Sequence, residues 1–210
     1  MPISDTSVKH IHNGMRGAPA ISGTAGTLIA ALDALFLTGW GIVTPTSVTV
    51  ADGIATATVA SGNSFDAHSV VLIDGATPSS LNGEARVLTS GSTSLTWSTE
   101  APDGAATGSI TIRYAPQAAW QKVYAGTNKA AYRSNSVLSA GHFLRVDDAG
   151  TTTARVRGFE SMTDVDSGSG PFPLDSMMSG GGYLHKSTAA SGAAVRYKIF
   201  CDDRFVIFSI

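Results

Sequence analysis

The chain has 210 residues, 43% of them apolar and 14% charged, with a net charge of −2. That length suits one domain or two small ones, and a charge so near zero supplies no long-range attraction to nucleic acid or to an anionic membrane surface. A single cysteine, Cys201, excludes an internal disulfide and a cysteine-based zinc cluster.

Globular proteins carry about 25% charged residues, so this chain is charge-poor. Between Gly17 and Ala51 the only charged side chain is Asp33. The scarcity predicts a surface shielded by something other than water, since soluble monomers rarely expose large apolar patches; the alternative is a small-residue chain with a Ser/Thr/Gly exterior. Charge is also uneven. Residues 52–108 hold six acids and one base, Arg86, whereas residues 113–210 hold eleven bases and eight acids.

Met1-Pro2-Ile3-Ser4-Asp5 lacks the basic and apolar regions of a secretory signal. No window reaches the roughly 18 apolar residues of a membrane span, and the best run, Leu28–Leu37, contains Asp33. The expectation is synthesis in the cytoplasm, with any release by a route such as cell lysis.

Residues 1–45 read as an arm and a helix. His10 to Pro19 reads as an extended arm of the kind that reaches onto adjacent subunits. Thr24 is placed as the N-cap of a helix of about four turns, with Leu28, Leu32, Leu35 and Phe36 on one face and Gly39 closing the end. Such a helix is marginal alone and must pack on the chain or on a neighbour.

Residues 46–116 read as a small all-β domain, inserted or projecting. Ser47–Val50, Ile54–Ala60, Ser69–Asp74, Ala85–Thr89, Ser94–Ser98 and Ser109–Tyr114 are Val/Ile/Thr-rich runs. Turn pairs such as Asp52-Gly53, Asp74-Gly75, Asn82-Gly83 and Ser90-Gly91 punctuate them. Six short strands so spaced predict a sandwich or barrel.

Residues 117–210 read as a β-rich body. Phe143–Val146 and Ala154–Arg157 flank Asp147-Asp148-Ala149-Gly150-Thr151 as one hairpin. Val195–Cys201 and Phe205–Ile210 flank Asp202-Asp203-Arg204 as another, with Cys201 a small buried hydrophobe. An apolar last strand must pair centrally or be covered. Residues 167–182 read as a Gly/Ser-rich loop. The fold class is therefore mainly β: two small sandwich- or barrel-like blocks and one N-terminal amphipathic helix.

Chemistry-bearing motifs are sparse. There is no Gly-Lys-Ser/Thr phosphate loop and no Gly-x-Ser-x-Gly elbow, and Gly180-Gly181-Gly182 lacks the flanking elements of a nucleotide site. His10 and His12 project from one face if extended and could hold a metal, or serve as contacts of the arm. Asp164, Asp166 and Asp175 match positions one, three and twelve of a calcium loop, but Ser169 replaces the required Gly, no Glu stands at twelve, and two prolines interrupt. A structural turn is the favoured reading there. Arg155 and Arg157, with Arg145 across the hairpin, could grip a carboxylate or phosphate; salt bridges to Asp147, Asp148, Glu160 or a neighbour are the simpler reading. Trp40, Trp97 and Trp120 read as core or interface anchors. No catalytic, cofactor or metal residue is assigned, and no enzyme activity is expected.

The motifs together resemble structural proteins of tailed bacteriophages. The resemblance lies in Gly17-Ala18-Pro19 with Ser22-Gly23-Thr24-Ala25-Gly26, in Ile73-Asp74-Gly75-Ala76-Thr77-Pro78, and in Leu81-Asn82-Gly83-Glu84. It continues in Leu144-Arg145-Val146-Asp147-Asp148 and from Ala154 through Met162 to Gly170-Pro171-Phe172-Pro173. It implies a virion component of the tail or baseplate rather than the head. The partners so implied are copies of itself and other virion proteins, with no nucleic acid and no membrane. Residues 1–39 would then lock onto neighbours in a symmetric oligomer, the body would pack, and the middle domain would project. The alternatives are a host-surface module recognising glycan or protein, with Phe65 and Trp97 as the aromatic candidates of the middle domain, or a head decoration protein.

Overall fold

The computed structural model describes residues 4–63 and 65–210. The chain is mainly β, with 43% of residues in strands and 7% in helix, arranged as three sheets and one short helix. No sheet closes into a barrel among the described residues. Met1-Pro2-Ile3, part of the leading segment read for a signal, lie outside the described residues. The chain divides into two compact units. One comprises the segment ending at Lys9, Gly14–Gly17 and Gly39–Pro116; the other comprises His10–Asn13, Ala18–Thr38 and Gln117–Ile210.

The chain opens with strand β1 (Lys9–His12) and helix α1 (Thr27–Asp33), which widens into a π-helical turn, Ala34–Thr38. The expected helical stripe is present, since Leu28, Leu32, Leu35 and Phe36 are all buried. Its start differs from the expectation. The N-cap is Gly26 at φ +84°, and no side chain of the cap residue bonds the first turn. Thr24 is exposed, and its carbonyl accepts the Thr27 hydroxyl at 2.9 Å. The first-turn amides of Leu28 and Ile29 turn instead to Asp148, far along the chain. Gly39, at φ +69°, ends the segment as expected.

In the unit containing Gly39–Pro116 the strands are β2 (Trp40–Val43), β3 (Ser47–Ala51), β4 (Ile54–Thr58), β5 (Val70–Asp74), β6 (Gly83–Ser90), β7 (Ser94–Ser98), β8 (Gly104–Ala105) and β9 (Thr111–Tyr114). They form one antiparallel ladder in the order β2-β9-β5-β6-β7-β4-β3-β8. All six expected strands are found. Asp52 (φ +52°) and Gly53 (φ +74°) make the two-residue turn that pairs Ala51 with Ile54, because both positions of such a turn need positive φ. β6 changes partner midway: Gly83–Arg86 pair with β5, and Val87 to Ser90 pair with β7 past a bulge. A strand shared in this way turns a corner, so the ladder folds over its own apolar face instead of lying flat. Val87, Leu95, Trp97, Ile112 and Tyr114 fill that interior.

The other unit adds β10 (Trp120–Gly126), β11 (Lys129–Ser134), β12 (Phe143–Asp147), β13 (Thr153–Met162), β14 (Gly168–Phe172), β15 (Gly182–His185), β16 (Lys198–Cys201) and β17 (Val206–Ser209). A six-stranded sheet runs β10-β11-β12-β13-β14, with β15 pairing the first half of β13. Both expected hairpins are present, with Asp147 opposite Arg155 and Cys201, buried, opposite Val206. The stretch 167–182 is not all loop, as expected, but supplies β14 and the start of β15. Small residues suit β14, because a Cβ at Gly168 or Gly170 would run into Ser161, Phe159 or Glu160 on the neighbouring strand.

The segment expected to reach outward as an arm lies within its own chain. His10–Asn13 belong to the same compact unit as Gln117–Ile210, β1 pairs with β16, and Ile11 and Ile21 have no exposed surface. Phe36 stacks on Trp120 at 4.9 Å and meets Tyr132 edge-on at 5.2 Å. Within the charge-poor stretch 17–51 the helical face, Ile21, Trp40, Val43, Val48 and Val50 are buried, whereas Ile42 is exposed. The one charge of the stretch, Asp33, receives Lys122 Nζ at 2.5 Å and the Tyr132 hydroxyl at 2.7 Å.

Candidate functional site

The unit containing Gln117–Ile210 carries an open, largely apolar depression of about 250 Å³. Leu144, Phe172, Phe205 and Trp120 line it, with His142 and Arg204 at its polar points. Sheet register builds the floor. Gly158 of β13 sits opposite Leu144 of β12 and Phe172 of β14. The missing side chain at Gly158 leaves the space that the Phe172 ring occupies, an arrangement that covers a strand glycine with a neighbouring aromatic. His142 meets that ring edge-on at 5.2 Å.

The same unit exposes large apolar side chains. Val137 is 97% exposed, Met177 75%, Leu138 71% and Tyr183 68%, and Phe205 and Ile207 stand out beside and on β17. Among the described residues strand β17 lies at the edge of its three-stranded sheet, bonded on one side to β16, so the last strand is not central. Such a surface can receive apolar side chains or a flat ring.

The arginines act as struts for the loops. Arg145 bonds Asp166 at 2.6 Å, Asp147 at 3.3 Å and the Val165 carbonyl at 2.7 Å. Arg157 holds Asp175 at 3.0 Å and the Pro173 carbonyl at 3.1 Å. Arg155 lies on the Tyr183 ring, 3.6 Å from its centroid, and donates to the Ser179 carbonyl. Salt bridging is therefore the role of Arg145 and Arg157, as the simpler reading had it, although Asp166 and Asp175 join Asp147 as partners. Asp148 goes elsewhere.

The acidic positions read against a calcium loop do not converge. Asp164 accepts the Asp166 amide at 2.7 Å, Asp166 faces Lys129 and Arg145, and Asp175 faces Arg157 and the Gly180 amide. The carboxyls of all three are held below the ordinary carboxylate range: Asp164 by the Asp166 amide, Asp166 by Lys129 and Arg145, Asp175 by the Gly180 amide and Arg157. His10 and His12 stack with ring centroids 6.1 Å apart on one face of β1, and His10 also lies against Phe200. Trp40, Trp97 and Trp120 are buried anchors, and the Trp120 indole donates to the Asp202 carbonyl at 2.8 Å. Phe65 and Trp97, the aromatic candidates for a glycan platform on the middle domain, are buried as well, because both serve the apolar interior of their unit.

One cluster was not legible in the sequence. Asp148 and Lys186 form an ion pair in which both side chains are fully buried. Asp148 Oδ2 accepts the Leu28 amide at 2.8 Å and the Ile29 amide at 3.4 Å, and Lys186 Nζ also donates to the Thr24 carbonyl at 2.9 Å. In sequence, Asp148 looks like a hairpin-turn residue and Lys186 like a solvated one; no local pattern sets them apart. Comparison of the chain with family models, with curated proteins and with solved structures gives no match.

Proposed function

We propose that the chain is a structural subunit of a tailed-bacteriophage virion, placed at the tail or baseplate, that associates with copies of itself and with other virion proteins. The observation that carries this reading is the set of exposed apolar side chains in the half following Pro116: Val137, Leu138, Phe172, Leu174, Met177, Met178, Tyr183, Phe205 and Ile207. In a charge-poor chain, large apolar side chains left exposed favour association, and the sequence motifs set out above supply the virion context. Burial at about 25 cal/mol per Å² drives association, and because residues 10–38 are already packed within the chain, the contact is made by the body rather than by an exchanged arm.

Sedimentation of the full chain across a range of concentrations tests this. Self-association that weakens in Leu138→Ser and Met177→Ser supports it, and an unaggregated monomer at all concentrations, with no labelled copy found in intact particles by imaging, overturns it.

A second reading is supported by the depression itself, where Phe172 and Phe205 stand near His142 and Arg204. Aromatic faces beside polar donors suit a sugar ring, as in a host-surface glycan module. Binding of the full chain on a glycan array, lost in Phe172→Ala, distinguishes this reading from the first.

A further inference from the structure

We propose that Asp148 and Lys186 are a cross-linking pair, able to condense into an intramolecular amide between the Asp148 carboxyl and the Lys186 amine. The two side chains touch, and neither has exposed surface. Removing two charges from water costs several kcal/mol per ion, and their attraction repays this only when the remaining donors and acceptors are also met. An amide abolishes both charges at once and releases one water from a dry interior.

The surroundings fit the product as well as the pair. Oδ1 faces Lys186, while Oδ2 is held by the backbone amides of Leu28 and Ile29. In the condensation one ammonium proton passes to Oδ1, and the amine lone pair attacks Cγ, forming the N–C bond. Negative charge gathers on Oδ2, where the Leu28 and Ile29 N–H groups already point, as preorganised donors do for a developing oxyanion. Collapse breaks the Cγ–Oδ1 bond, and Oδ1 leaves as water with a second proton from the nitrogen. The amide keeps one N–H, which donates to the Thr24 carbonyl now bonded to Lys186, and its carbonyl oxygen keeps the Leu28 and Ile29 amides. No oxidant, cofactor or outside reactant is needed. Fixing amine and carboxyl in contact replaces a bimolecular encounter with effective molarities of about 10⁵–10⁸ M for well-oriented pairs.

The Asp33–Lys122 pair of the same unit is the internal comparison. It is partly exposed, with side chains 30% and 23% accessible, and Asp33 is shared with Tyr132. Water there stabilises the ions, so no condensation is expected.

The test is intact-mass measurement of the purified full chain, followed by proteolysis and sequencing of any branched peptide. The expected result is a mass lower than the sequence mass by one water and a branched peptide joining the Asp148 and Lys186 segments. Lys186→Arg and Asp148→Ala should each restore the full sequence mass, and Asp148→Asn should form the same amide with loss of ammonia. A wild-type chain at full sequence mass with no branched peptide, after prolonged incubation at neutral pH, overturns the proposal. So does a water loss that persists in Lys186→Arg or maps to an Asp-Gly step such as Asp52-Gly53. The wild-type mass decides the matter even if a variant fails to fold.

Discussion

The backbone amide of Leu28 donates to the Asp148 carboxylate at 2.8 Å across 120 residues of sequence. This bond supplies the helix with the cap that its own N-terminal residues do not. It also ties the start of α1 to the turn after β12, where the Gly26 amide donates to the Asp148 carbonyl at 3.0 Å. Lys186 closes the cluster from the segment after β15. Three stretches distant in sequence are thus joined at one buried point.

Removing that point should be costly. Asp148→Ala strips the Leu28 and Ile29 amides of their acceptor and leaves Lys186 buried without its partner, as an ion or as an amide. Breaking a buried pair from one side costs about 3–5 kcal/mol, to be read as a lowered urea midpoint. Thr24→Ala, by contrast, alters an exposed side chain that does not cap the helix and should change stability by no more than about 0.5 kcal/mol.

Gly158→Val should displace the Phe172 ring from the place it takes beside the missing side chain. Overpacking of this kind costs about 1–3 kcal/mol and should shift the melting temperature down and alter the near-ultraviolet circular dichroism. If the depression binds a ring, that binding should go with it.

Acid should loosen the loops braced by Asp164, Asp166 and Asp175. Their folded-state values lie below the ordinary 3.8, so the stabilisation they give is complete above 3.8 and is lost as pH falls through the depressed values. Carboxyl titration by NMR should show all three protonating later than an unstructured aspartate on the way down. Lys129→Met should move Asp166 back up, because Lys129 is the leading cause of its shift.

Alkali should act through the buried phenols. Burial pushes Tyr197 up to about 12; Tyr132, buried and bonded to Asp33, and Tyr114, buried in its own unit, go higher still. Groups with raised values lend stability that is whole below the unfolded value of 10.0 and drains away as pH climbs above it. Stability should therefore fall from pH 10 upward, with phenolate absorbance from these residues appearing only as the chain unfolds. Asp33→Asn should lower the pH at which Tyr132 ionises by removing the adjacent negative charge.

Much of the fold was written locally. Val48 and Val50 alternate with threonine and serine, Asp52-Gly53 can take two positive φ values, and Leu28, Leu32 and Leu35 recur at helical spacing. These patterns are set by neighbours within a few positions, so the mainly-β class, the six strands of 46–116, both hairpins and the buried helical face follow from residue order alone. β14 escaped because Gly168-Ser169-Gly170-Pro171 has no strand propensity of its own; its pairing with β13 and the bulk of Phe159 and Glu160 make it a strand. The same holds for the segment 10–19, whose composition reads as an arm until β16 is there to pair with it. Asp148, Lys186 and the amides of Leu28 and Ile29 lie furthest from any local signal. A lysine or an aspartate looks the same in sequence whether solvated or buried, and only the folded chain decides which, because burial and counter-charge depend on segments that meet in space.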